Sequence, residues 1–108
     1  MVRRIDVCHL AARMEAEEPV YLVDVRQPWE HETAALPDSH LIPLDQLTAR
    51  ANEIRPPDGG CIVVYCHHGI RSLSGAVLLE RLGFNDVASL DGGIDAWSSH
   101  VDPAVPRY

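Results

Sequence analysis

Eleven consecutive residues, Ile62-Val63-Val64-Tyr65-Cys66-His67-His68-Gly69-Ile70-Arg71-Ser72, hold the side chains most able to do chemistry. An apolar run ends on a cysteine, a short loop with one glycine follows, and an arginine closes the loop. The segment after it, Ser72 to Leu82, reads as a helix. A thiol between a strand end and a helix N-terminus meets unpaired backbone N–H groups and the positive end of the helix dipole. Such a setting favours the thiolate, the nucleophilic form of cysteine. Arg71 adds a planar fork of donors suited to an oxyanion. The loop therefore predicts cysteine-based chemistry on an anionic substrate or intermediate, with Cys66 as nucleophile. His67, His68, Gly69, Ile70, Arg71 and Ser72 make up the rest of the loop and its exit into the helix.

The elements that must position this loop follow from the pattern of apolar runs. Val20 to Val25 is nearly continuous and apolar, as a central parallel strand should be, and Ile62 to Tyr65 is another. His40 to Ile42 and Asp86 to Leu90 read as further strands. Asp6 is a helix N-cap for 7–17, stopped at Pro19. Pro28 opens a short helical piece over 29–36 that ends at Pro37. A helix is expected over 45–54, with Leu44, Leu47 and Ala51 at helical spacing. Arg55-Pro56-Pro57-Asp58-Gly59-Gly60 is a turn. The helix after Cys66 stops at Gly83. Gly92 to Trp97 begins a final short helix, and 101–108 is irregular. Strands alternating with helices predict an α/β fold on a mainly parallel sheet.

Composition bounds the function. A chain of 108 residues, 46% hydrophobic and 23% charged, is expected to form one globular domain with a single core. Its formal charge of −7 argues against nucleic-acid binding. All nine basic residues are arginine, which excludes lysine Schiff-base chemistry and a Walker-type phosphate loop. No apolar stretch reaches membrane-spanning length, and the N-terminal residues have no apolar signal core. Three cysteines, Cys8, Cys61 and Cys66, show no disulfide-framework spacing, so free thiols in the reducing cytoplasm are expected. Cys8 and Cys61 lack the context of Cys66 and read as bystanders. Neither metal nor cofactor is expected: consecutive ligands in one tight loop rarely converge, and no second ligand pair has the usual spacing.

Two more segments complete a pattern. Asp24-Val25-Arg26 follows a strand, with Glu30 four residues after Arg26, and Leu90-Asp91-Gly92-Gly93-Ile94-Asp95-Ala96-Trp97 lies near the end. With the Cys66 loop, in this order and spacing, they make nearly the whole chain resemble the rhodanese (sulfurtransferase) domain family. The resemblance implies a three-layer α/β domain over 1–108, with a five-stranded parallel sheet flanked by helices. It implies that Cys66 cycles between thiolate and persulfide, with His67, His68, Gly69, Ile70, Arg71 and Ser72 as the cradle around it and Arg71 contacting an anionic donor such as thiosulfate. The acceptor would be a thiophile: cyanide, a thiol or a sulfur-carrier protein.

Inward-facing N–H groups would stabilise both the thiolate and the persulfide. Asp24, Arg26 and Glu30 are expected to be structural, pairing with one another at the strand end rather than serving as acid and base. Trp29 and Trp97 are expected in the core or pocket wall, and His67 and His68 at the pocket mouth.

Competing readings are a non-catalytic rhodanese-like module, which binds a partner or senses sulfur and redox state, and a cysteine phosphatase. Such modules usually lack the cysteine or the arginine, and both are present here. Cysteine phosphatases place five residues between cysteine and arginine, whereas four lie between Cys66 and Arg71. The shorter ring suits one extra sulfur atom better than a tetrahedral phosphate.

The chain departs from the family at Ala34-Ala35-Leu36-Pro37-Asp38-Ser39, where a Gly-His-Ile-Pro-Gly-Ala type of segment is usual. Asp38 is then expected to make the turn. The ending 101–108 resembles that of rhodanese domains attached to enzymes that activate ubiquitin-like sulfur-carrier proteins, which implies a protein acceptor.

Overall fold

The computed structural model describes residues 2–108. In chain order it contains β1 (Arg3–Ile5), α1 (Val7–Glu15), β2 (Val20–Asp24), α2 (Pro28–Thr33) and β3 (His40–Leu41). These are followed by α3 (Leu47–Arg50), β4 (Cys61–Tyr65), α4 (Ile70–Arg81), β5 (Val87–Leu90) and α5 (Gly93–His100). The strands form one five-stranded parallel sheet in the order β1-β5-β4-β2-β3. The expected α/β architecture is therefore present. No helix among the described residues is long and apolar enough to cross a membrane.

β4 is central and every one of its residues is buried. Its side chains alternate between the two faces, as a pleated strand requires. Cys61, Val63 and Tyr65 join the core with Leu10 of α1 and Ile94 and Trp97 of α5. Ile62, Val64 and Cys66 join the opposite core with Leu47 of α3 and Ala76 and Leu79 of α4. Helices thus cover both sheet faces, and strands buried on both sides are apolar throughout. Cys61 and Cys66 consequently lie on opposite faces and about 16 Å apart along the strand, too far for a disulfide.

Several elements differ from their expected bounds. β1 pairs with β5 at the sheet edge, although Arg3 and Arg4 gave that segment no apolar signature. The expected helix over 45–54 is a short α3 between two 3₁₀ turns, Leu44–Gln46 and Ala51–Glu53. α2 stops at Thr33, and α4 begins at Ile70 rather than Ser72. Asp6 caps α1 as expected, its carboxylate accepting from the His9 N–H at 2.7 Å. Asp38 makes the turn after Pro37 with φ +57°, the left-handed conformation that Asp tolerates through local hydrogen bonding.

Candidate active site

Carboxyl ends of parallel strands are where α/β folds build sites. Three such ends meet here: β2 leads to Asp24 and Arg26, β4 to the Cys66 loop, and β5 to Gly92 and Gly93.

The loop closes over its own cysteine. Cys66 is only 1% exposed. Its Sγ receives the backbone N–H of Gly69 at 3.2 Å and that of Ser72 at 3.3 Å. The thiol form can donate to Ser72 Oγ at 3.5 Å, and Ser72 Oγ is 2.7 Å from Ser89 Oγ. Both serines are buried. The inward turn of the N–H groups has a cause in α5. Two N–H groups at its N-terminus take the outward carbonyls: Ile94 donates to Cys66 O at 2.9 Å and Asp95 to His67 O at 3.1 Å. Gly93 makes this approach possible. A Cβ there would sit 2.4 Å from Cys66 O, and its φ is +59°. Gly69 turns the chain into α4 with φ +102°, and a Cβ there would lie 3.1 Å from Gly92 N. Only glycine meets both demands.

Arg71 closes the ring and is held on Glu30. Nη1 and Nη2 donate to the two carboxylate oxygens at 2.7 and 2.9 Å. Glu30 also accepts from the Gln27 N–H at 3.1 Å and the Tyr108 hydroxyl at 2.6 Å. Hydrogen bonding by Arg71, aided by Tyr108 and Gln27, outweighs burial and holds the Glu30 carboxyl down at about 2.

Asp24 and Arg26 form a separate, fully buried pair. Arg26 Nε and Nη2 donate to the Asp24 carboxylate at 2.8 and 2.6 Å. Nη2 also reaches Ala34 O at 2.6 Å, and Nη1 donates to Tyr108 Oη at 2.8 Å. Burial opposes the Arg26 charge, but bonding to Asp24 and Tyr108 overcomes that and holds its pKa above the ordinary range. Asp24 further accepts from Tyr65 Oη at 3.2 Å and contacts His31 Nδ1 at 2.8 Å. Burial, followed by the Asp24 charge, pushes the Tyr65 phenol up to about 12, so it stays a donor. The expected mutual pairing of Asp24, Arg26 and Glu30 is thus divided: Asp24 takes Arg26, and Glu30 takes Arg71.

Tyr108, in the irregular C-terminal segment, joins these pairs. Its hydroxyl accepts from Arg26 and donates to Glu30. Its ring stacks on His67 with centroids 3.9 Å apart and planes 7° from parallel. Burial and the Glu30 bond push its phenol up to about 12. Trp29 packs edge-on to Tyr108 at 5.7 Å but is 59% exposed, so it lies at the rim and not in the core. Trp97 is buried under α5. His68 stacks on His67 at 4.0 Å, and Ile70 projects from the loop at 78% exposure. Burial, followed by the nearby His68, lowers the His67 pKa. Cys8 is exposed and Cys61 buried, where burial pushes its thiol up.

A buried thiol that receives two backbone N–H groups at the carboxyl end of a parallel sheet is an arrangement that stabilises a sulfur anion. The model of the Rhodanese-like domain matches residues 7–100, and the chain belongs to that family. It is 37% identical over 105 residues to a protein named Sulfurtransferase from Allochromatium vinosum, covering 97% of this chain and 96% of that one. It is 43% identical over 82 residues to the thiosulfate sulfurtransferase GlpE of Pseudomonas syringae, covering 75% and 74%. A rhodanese-like domain protein from Staphylococcus aureus superposes with a TM-score of 0.83 at 26% identity, covering 99% of each chain. The class is that of the rhodanese-type sulfurtransferases.

Proposed function

We propose that the protein carries sulfane sulfur on Cys66, taking it from a small oxyanionic donor such as thiosulfate and passing it to a thiophile. The Cys66 thiolate attacks the outer sulfur of thiosulfate, a Cys66 Sγ–S bond forms, and the S–S bond of thiosulfate breaks to release sulfite with the electron pair. An acceptor nucleophile then attacks the terminal sulfur of the persulfide and returns the thiolate, a ping-pong cycle without redox cofactor or metal.

The observation that carries this reading is the pair of N–H groups, from Gly69 and Ser72, directed at a cysteine sulfur that is otherwise buried. They stabilise thiolate and persulfide alike, and the compact ring favours one added sulfur. His67, His68 and Ile70 line the mouth. Arg71 lies on the ring, where its exposed edge is available to a donor oxyanion. Asp24, Arg26 and Glu30 act as support. The exposed Trp29 and Ile70 at the rim favour an acceptor larger than cyanide, a thiol or a ubiquitin-like sulfur-carrier protein. Three unpaired cysteines fit work in a reducing compartment such as the cytoplasm.

Intact-mass measurement after incubation with thiosulfate tests the reading. The expected result is a gain of one sulfur, removed by cyanide, retained in Cys61→Ala and absent in Cys66→Ala. A wild-type protein that gains no sulfur from thiosulfate or from an organic persulfide would make the non-catalytic module the better reading.

A further inference from the structure

At the mouth of the Cys66 loop lies a group of side chains to which the sulfur-transfer cycle gives no bond-making step. His67 and His68 from the loop and Asp95 from the first turn of α5 bring one ligand atom each to within 4.8 Å of one another. The sequence offered two adjacent histidines with no partner at a metal-site spacing. The fold supplies the third group, because the Asp95 N–H donates to His67 O and so fixes α5 against the loop.

His67 Nε2 is buried and has no hydrogen-bond partner, a costly state for an imidazole nitrogen that an incoming ligand would relieve. His68 Nε2 stands 3.9 Å from Asp95 Oδ2, and the His68 side chain, stacked on His67, is 62% exposed. Two imidazoles and one carboxylate are the donor set of three-ligand zinc sites, with a fourth position left open.

We propose that His67, His68 and Asp95 bind a divalent transition-metal ion of the zinc type. Closure from 4.8 Å to the separations of about 3.3 Å in a tetrahedral site needs rotation of the exposed His68 and a small shift of Asp95. Asp95 is now held by Arg107, whose Nε and Nη2 donate to its two oxygens at 3.0 and 3.2 Å. Arg107 therefore competes with the ion for the carboxylate. His67 directly follows Cys66, so a bound ion lies at the loop mouth, and its occupancy obstructs donor access. That last consequence rests on the sulfur-transfer reading, while the binding itself does not.

Zinc titration of the Cys8→Ala/Cys66→Ala protein, followed by calorimetry and by competition with a chromogenic chelator, tests the site without the exposed Cys8 thiol and without the Cys66 thiol next to His67. One equivalent of zinc is expected to bind. Adding His68→Ala or Asp95→Asn weakens binding about tenfold or more, and adding Arg107→Ala strengthens it. Circular dichroism checks that these surface variants stay folded. Binding that vanishes with the cysteines, or that ignores both His68→Ala and Asp95→Asn, overturns the proposal. In the wild type, one equivalent of zinc is expected to slow sulfur loading from thiosulfate. Failure to load even without zinc would strike the sulfur-transfer reading and leave the titration to judge the site.

Discussion

Replacing Asp24 by Asn removes one charge from the most deeply buried ion pair of the molecule while keeping its shape. Both side chains of the pair have no exposure to solvent. Arg26 spends Nε and one Nη2 hydrogen on Asp24, and its remaining partners are the neutral Ala34 and Glu30 backbone carbonyls and the Tyr108 hydroxyl. After Asp24→Asn, a guanidinium stays buried with no anion bonded to it. Removing one partner of a buried pair costs about 3–5 kcal/mol, against a total of roughly 5–15 kcal/mol for a domain of this kind. Urea unfolding at neutral pH should therefore show a large fall in midpoint at unchanged slope. The control is Asp24→Asn/Arg26→Met, whose loss should fall short of the summed single losses by about 2 kcal/mol. A loss below about 1 kcal/mol for Asp24→Asn, or strict additivity in the double variant, would refute the claim that Asp24 is what makes Arg26 tolerable in the core.

Three further outcomes follow from the site. Glu30 is held at about 2 in the folded protein against an ordinary 4.5. A depressed carboxyl contributes stability that is full above the ordinary value and lost as pH falls from about 4.5 toward 2. The contribution is at most about 3 kcal/mol, and Glu30→Gln should flatten that part of a stability-against-pH curve from urea midpoints. Tyr108→Phe keeps the stack on His67 but removes one of the donors to Glu30, so the acid loss still begins near 4.5 but should be smaller and complete at a higher pH, with about 1–2 kcal/mol less stability at neutral pH. Gly93→Ala would put a Cβ 2.4 Å from Cys66 O in a left-handed backbone. It should cost about 2 kcal/mol or more in thermal melts and displace the loop enough to abolish sulfur loading by intact mass.

What could be read without the structure was what local pattern encodes. The apolar runs of β2 and β4, the Asp6 cap, Pro28 at the start of α2 and the cysteine loop all announce themselves within a few residues. β1 did not, because Arg3–Ile5 is a three-residue edge strand with a single buried residue, Ile5, and its pairing with β5 comes from far along the chain. The 45–54 segment has helical spacing but too few apolar contacts to hold one regular helix, and it breaks into turns. The site's charge pairing was equally invisible. Arg71 reaches Glu30, Tyr108 reaches both Glu30 and Arg26, and Asp95 reaches the loop histidines only through the fold. Such distant pairings have no signature in spacing, and the aromatic side chain of Tyr108 in an irregular tail gave no sign of its partners.

Sulfite release in the absence of any acceptor tests the central claim most directly. With excess thiosulfate alone, the protein should release a burst of one equivalent of sulfite and then stop, its Cys66 loaded as the persulfide, while Cys66→Ala releases none. Sulfite that appears only when an acceptor is added, or that Cys66→Ala releases equally well, would contradict a covalent sulfur carrier at Cys66.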